Sequence, residues 1–182
     1  MDSPFMNVLA AGICAGGIPV FRFEFPYMQE RRETGKKRPP NRPPELLNCF
    51  QQVINQLGGP ESCVVAGKSM GGRMASMLAT QLPVAGLICY GYPFHAPGKT
   101  DAPRIDHLTA LEIPNLILQG DRDPFGKPEE VSAYQLPYKI NIQWLPDGDH
   151  DFKPRVKSGL THQQNLETAI EASVKFIAGL CA

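Results

Sequence analysis

A serine stands between two glycines in Gly67-Lys68-Ser69-Met70-Gly71, where an apolar, β-prone run, Ser62 to Ala66, gives way to a segment with Arg73, Met74, Met77, Leu78 and Leu82 at helical spacing. A serine on so sharp a strand-to-helix turn sits in strained backbone, and glycines two residues to either side let the turn close against its neighbours. This is the pattern of a nucleophile elbow, and the chemistry it suggests is covalent catalysis. A serine hydroxyl is a weak nucleophile at neutral pH, so Ser69 requires a general base within hydrogen-bond reach and a third group to orient that base. Histidine is the natural base, and the chain holds His95, His107, His150 and His162. His150 is set apart by its place in the loop Leu145 to Phe152, directly after the last predicted strand; the others read as surface or loop histidines. The orienting acid is expected at the end of the preceding strand, where Leu116 to Gly126 supplies Asp121 and Asp123. Both also suit a Gly-Asp-x-Asp-Pro turn, so the residues alone leave the choice between them open.

The elements that must position these side chains can be read along the chain. A helix starts at Ser3, with Asp2 or Ser3 as N-cap, Pro4 in the first turn, Phe5, Val8, Leu9, Gly12 and Ile13 on one face, and Gly16-Gly17 as its end. Ile18 to Phe25 reads as a strand stopped by Pro26, and a polar loop is expected over 29–43. Glu45 to Leu57 has helical periodicity and stops at Gly58-Gly59. After the elbow, Val84 to Tyr90, Asn115 to Gln119 and Ile140 to Leu145 read as buried strands, Pro128 to Tyr134 as a short helix, and Gln163 to Leu180 as a long amphipathic helix with Leu166, Ile170, Val174 and Ile177 inward. Strands alternating with helices predict an α/β class, a doubly wound, mostly parallel sheet with helices on both faces. Ligands then bind beyond the carboxyl ends of the strands. Tyr92 and His95 follow one such end and are candidate pocket residues, with a packed crossover as the other reading. Ala96 to His107 is too short for a large lid, so only a minimal cap and an open pocket are expected.

With 182 residues, 42% hydrophobic content and zero formal net charge, the chain can bury one substantial core, and a single domain over 1–182 is expected. The cysteines at 14, 49, 63, 89 and 181 lie in apolar stretches without metal-ligand spacing, which suggests buried thiols in a reducing compartment and no metal. Val8 to Ala15 lacks the basic flank of a secretion signal, and no apolar run reaches the roughly 20 residues that span a bilayer. A cytoplasmic protein without membrane contact is expected. Gly67-Lys68-Ser69 could end a phosphate-binding loop, but that pattern needs glycine at position 62 and finds Ser62. Arg31, Arg32, Lys36, Lys37, Arg38 and Arg42 against Glu33 read as a solvated basic loop. An anion-steering patch is the sharper alternative, and with no interleaved aromatics a nucleic-acid partner is not expected.

The order Ser69, aspartate, His150 and the blocks Asp2 to Met6, Arg22 to Tyr27, Gly67 to Arg73, Gly91 to His95, Gln119 to Gly126 and Asp147 to His150 resemble the α/β-hydrolase superfamily. The nearest resemblance is to small hydrolases related to dienelactone hydrolase and the testis-expressed protein 30 family. It covers nearly the whole chain and implies Ser69 as nucleophile, His150 as base, and the acid at the last position of Gly-x-x-Asp, Asp123, with Asp121 as the alternative. The implied activity is hydrolysis of a small-molecule carboxylic ester or related acyl bond, without a cofactor; the alternative is a catalytically weak or inactive interaction module. The resemblance also implies an oxyanion hole, one donor of which is the N–H of Met70. In the family the other comes from a His-Gly-x-Gly-like loop after a strand that precedes the block matching Asp2 to Met6. That strand would lie between the 18–25 strand and the elbow strand. Because this sequence starts at the helix, the expectation is either a shortened reading frame or a sheet in which the two neighbours close the gap and the site is degraded.

Overall fold

The computed structural model describes residues 2–180. Its sheet has four parallel strands, β1 (Val64–Lys68), β2 (Gly86–Tyr90), β3 (Asn115–Gly120) and β4 (Ile142–Leu145), in the order β1-β2-β3-β4. Every residue of β2 and β3 is buried, which is why these runs are continuously apolar rather than alternating.

The pleat sends successive side chains to opposite layers. Val65, Leu87, Cys89 and Ile117 pack under α3 (Pro43–Gln56), α4 (Met70–Ala79) and α5 (Pro128–Ser132). Ile88, Tyr90, Leu116, Leu118 and Leu145 face α1 (Pro4–Ala15) and α6 (His162–Leu180). The expected α/β sheet with helices on both faces is therefore present. In α1 the Ser3 hydroxyl accepts the Met6 N–H at 3.3 Å, and Phe5, Leu9 and Ile13 are buried. A Cβ on Gly12 would come within 2.5 Å of Ile170, so this glycine lets α1 lie close on α6.

Two expectations are corrected. Ile18 to Phe25 is irregular and not a strand, because no neighbouring strand pairs with it; instead the Phe23, Phe25 and Phe50 rings meet edge to face, with centroids 4.8–6.3 Å apart. It therefore closes no gap beside β1, which among the described residues forms one edge of the sheet. The polar loop over 29–43 is in part a helix, α2 (Pro26–Thr34), that buries none of its residues. It lacks the apolar stripe that reveals helices in a sequence. Pro26 in the first turn, a Gln29–Glu33 hydrogen bond one turn apart at 2.9 Å and a left-handed Gly35 cap at φ 69° hold it instead. Arg32 pairs with Glu24 and Arg38 with Glu30, so the basic patch is partly neutralised.

The thiols also depart from expectation. Cys14 is exposed, Cys49 and Cys63 are half-buried and only Cys89 is fully buried; Cys181 lies outside the described residues. No helix among the described residues is long and apolar enough to cross a membrane.

Candidate active site

The four strands point the same way, so the loops leaving β1, β3 and β4 gather at one end of the sheet. Ser69 leaves β1 with φ 52° and ψ −118°, a conformation that costs a non-glycine residue on the order of 1–3 kcal/mol and that the surrounding packing must enforce. The enforcing contacts are visible. The Ser69 N–H donates to Tyr90 O at 2.9 Å and its carbonyl accepts the Arg73 N–H at 3.0 Å. A Cβ on Gly67 would lie 2.3 Å from the Gly71 carbonyl carbon, and one on Gly72 would lie 2.7 Å from Gly67 O.

The second obligatory glycine is thus Gly72 and not Gly71, whose Cβ would meet nothing within 4 Å. The helix starts immediately after Ser69, so it is its third residue that crosses back over β1. Behind Gly72 sits Cys89, whose thiol reaches Gly72 O at 3.4 Å and is pushed up in pKa by complete burial. Ser69 makes no side-chain cap bond, leaving its hydroxyl uncommitted. Met70 is the first residue of α4, and its N–H is one of the first-turn donors that no intrahelical carbonyl can satisfy.

His150 and Asp123 meet. His150 Nδ1 lies 2.7 Å from Asp123 Oδ2, with the carboxylate fully buried and the imidazole 23% exposed. Asp123 is held from its other side by the Phe125 N–H at 2.9 Å on Oδ1 and by Gln119 Nε2 at 3.0 Å on Oδ2. A carboxylate accepts only, so Nδ1 carries a proton, and in the neutral imidazole this makes Nε2 the acceptor, the tautomer a general base needs. The Phe125 ring lies 4.5 Å from the imidazole, and Gly91, at φ 62°, passes so close that its Cβ would sit 3.2 Å from Nδ1. Asp121 is not brought to His150: its N–H donates to Leu145 O at 3.2 Å, and its Oδ1 is buried without a hydrogen bond. Among the described residues no direct hydrogen bond joins Ser69 Oγ to His150, a looseness common in resting sites that tightens when substrate is bound.

The loop that carries His150 is braced by side chains whose bracing role no sequence signal gave. Asp147, at φ 52°, accepts the Arg155 N–H at 2.6 Å and Nε at 2.8 Å, and hydrogen bonds from Arg155 hold its carboxyl down at about 2. Asn165 of α6 donates to Pro146 O and Phe152 O at 3.1 and 2.9 Å. Gln119 belongs with this group, since it lies on a buried strand whose pattern gives no hint of a polar role.

Tyr92 and His95 do not line an open pocket. Both are fully buried, Tyr92 donating to Arg104 O at 2.7 Å and His95 lying between Ala96 O and Glu130. Tyr92 belongs to a packed network in which Ser76 Oγ donates to Arg73 O and His107 Nε2 lies 2.8 Å from Ser76 Oγ and 3.3 Å from the Tyr92 hydroxyl. Both hydroxyl protons are committed elsewhere, so Nε2 carries the imidazole proton; Ser76, fully buried in mid-helix, is a structural serine.

Burial and the nearby Arg73 charge lower the His107 imidazole from 6.5 to about 4. The unfolded chain therefore takes up this proton first as pH falls, and stability declines between about 6.5 and 4, then levels off for this group. The expected loss is on the order of 2 kcal/mol for a half-buried ring, read by urea unfolding at pH 7 and pH 4. His107→Gln should flatten that interval.

Beside the elbow, Ser3, Pro4, Phe5, Lys68, Asp151 and His162 line a cleft of about 300 Å³. Among the described residues no group of three histidine, cysteine or acidic side chains is placed to hold a metal ion.

A family model for the alpha/beta hydrolase domain matches residues 1–178. The chain belongs to that alpha/beta hydrolase domain family. Solved structures agree on the fold. This hydrolase domain is similar to an alpha-beta serine hydrolase homologue from Coxiella burnetii, at 19% identity over 96% of this chain and 76% of that one, with a TM-score of 0.70. A serine hydrolase without a lid from Xanthomonas campestris shares 20% identity over 96% and 74% of the two chains, with a TM-score of 0.68. Est1E from Butyrivibrio proteoclasticus, solved with ferulic acid bound, matches at 14% identity over 99% and 84%, with a TM-score of 0.70. At these identities the likeness is one of fold, and the function of this hydrolase domain must be argued from its own site.

Proposed function

We propose that the chain is a serine hydrolase that cleaves a small-molecule carboxylic ester or related acyl bond through an acyl-enzyme on Ser69. The observation that carries this reading is the Asp123–His150 pair at 2.7 Å, at the same end of the sheet as a serine held at φ 52° on a strand-to-helix turn. His150 Nε2 takes the Ser69 proton as Oγ attacks the acyl carbon, then delivers it to the leaving alcohol; a water repeats the sequence to release the acid. Asp123 fixes the tautomer and stabilises the imidazolium. The Met70 N–H faces the developing oxyanion, and in this family it is the residue after the nucleophile that supplies such a donor. Within the family we place the chain nearest the small dienelactone-hydrolase-like enzymes related to testis-expressed protein 30, on the sequence blocks it shares with them. A cytoplasmic setting fits its free thiols at 14, 49, 63 and 89.

The test is covalent labelling with a fluorophosphonate, in which Oγ forms a bond to phosphorus and fluoride leaves. Wild type is expected to label and Ser69→Ala to stay blank, with para-nitrophenyl acetate turnover lost in parallel. An unlabelled wild-type chain would leave the interaction-module reading standing in its place.

A further inference from the structure

We propose that Lys68 and Asp151 form a strap that holds the His150 loop against the nucleophile turn, making both positioning residues for the proton transfer. This rests on Ser69 and His150 acting as nucleophile and base. Lys68 immediately precedes Ser69, and Asp151 immediately follows His150. Lys68 Nζ lies 3.2 Å from Asp151 Oδ1, so the pair joins the two chain segments whose spacing sets the Ser69–His150 approach.

Among the described residues no other hydrogen bond or ion pair runs between β1 with its elbow and the loop from Pro146 to Arg155. The remaining ties of that loop lead elsewhere. His150 Nδ1 meets Asp123 Oδ2 on the β3 side, the Arg122 N–H and guanidinium donate to Gly148 O and Asp147 O, Asn165 donates to Pro146 O and Phe152 O, His162 reaches Asp151 O, and the Asp149 carboxylate accepts the Asp151 and Lys153 N–H groups within the loop itself. Phe152 is buried with its ring 5.2 Å from that of Phe5, but this anchors the chain two residues past the imidazole.

The pair differs from an ordinary surface ion pair. Asp151 is 66% exposed, but the Lys68 side chain is only 17% exposed, with its ammonium 5.2 Å from the Phe5 ring centroid. An ammonium so placed has few conformations open to it and a strong need for its counter-charge, so the contact persists where two solvated chains would drift apart. Asp123 fixes the imidazole from the β3 side, and since Ser69 Oγ makes no hydrogen bond to His150, the Lys68–Asp151 pair is the tie that sets the loop's distance from the elbow, over which the proton must pass.

The experiment is the second-order rate of fluorophosphonate labelling in Lys68→Met, Asp151→Asn, the double variant and Lys68→Arg, alongside kcat and KM for an activated ester. A strap predicts that either single change slows labelling and kcat by roughly 10- to 100-fold with KM nearly constant. The double variant should be no slower than the worse single, and Lys68→Arg should recover most of the rate. A merely electrostatic influence predicts opposite effects, because one change removes a cation and the other an anion beside the same imidazole. Opposite effects, or labelling at wild-type rates in Asp151→Asn, would overturn the strap while leaving the hydrolase reading intact. Asp151 is exposed, so that variant is informative even if Lys68→Met fails to fold. A wild-type chain that does not label overturns both.

Discussion

Asp123→Asn is expected to lower kcat by about 10⁴-fold with little change in KM, whereas Asp121→Asn should stay within a few-fold of wild type. The asymmetry follows from what each carboxylate touches. Asp123 receives His150 Nδ1, the Phe125 N–H and Gln119 Nε2, so an amide in its place would turn a donor toward groups that are themselves donors. His150 would then have to present its other tautomer, with the proton on the nitrogen that should receive one from Ser69. Asp121 has no contact with the imidazole and an Oδ1 without a hydrogen bond, so an amide there disturbs nothing in the proton path. Steady-state kinetics of the two variants on an activated ester decide the matter, and equal losses would reject Asp123 as the orienting acid.

Gly67→Ala is expected to be the most damaging single methyl that can be added to the elbow. Its Cβ would lie 2.3 Å from the Gly71 carbonyl carbon and 2.5 Å from Gly72 N, both main-chain atoms of the first turn of α4 that cannot rotate away. Relief requires α4 to lift from β1, and this should cost roughly 3 kcal/mol or more, a drop of about 6–12 °C in Tm, together with loss of fluorophosphonate labelling. Gly71→Ala, four residues on, is the matched control. Its Cβ meets open space inside a helix, so stability should hold or rise by up to about 1 kcal/mol. Differential scanning calorimetry of the pair would separate a steric requirement at one position from a general dislike of side chains near Ser69.

Much of this architecture is legible in the amino-acid sequence. The elbow, the buried parallel strands and the aspartate–histidine loops each follow from local patterns: glycine spacing, continuous apolar runs and polar turns at strand ends. Where the sequence misled, the missing information was tertiary. Ile18 to Phe25 has the composition of a strand, but being a strand requires a partner, and its phenylalanines found Phe50 instead. α2 forms without burying anything, so periodicity could not announce it. Tyr92 and His95 lie just past a strand end, as pocket residues often do, yet their side chains turn inward. Gln119 reaches Asp123 four residues on and Asp147 reaches Arg155 eight residues on, pairings made by the course of the turns between them and not by any helix or strand period. Asp121 and Asp123 lie in one turn, and only the direction each side chain takes from it separates them.

The thiol packed behind Gly72 offers a last consequence. Cys89 is sealed between β2 and the first turn of α4, and it cannot be alkylated until those two elements part. Once the more accessible Cys14, Cys49 and Cys63 have reacted, slow modification of Cys89 by iodoacetamide becomes a clock for transient opening of the platform under Ser69. Followed by peptide mass spectrometry with and without phosphonylated Ser69, that clock would measure how firmly the support under Ser69 is locked, independently of any turnover.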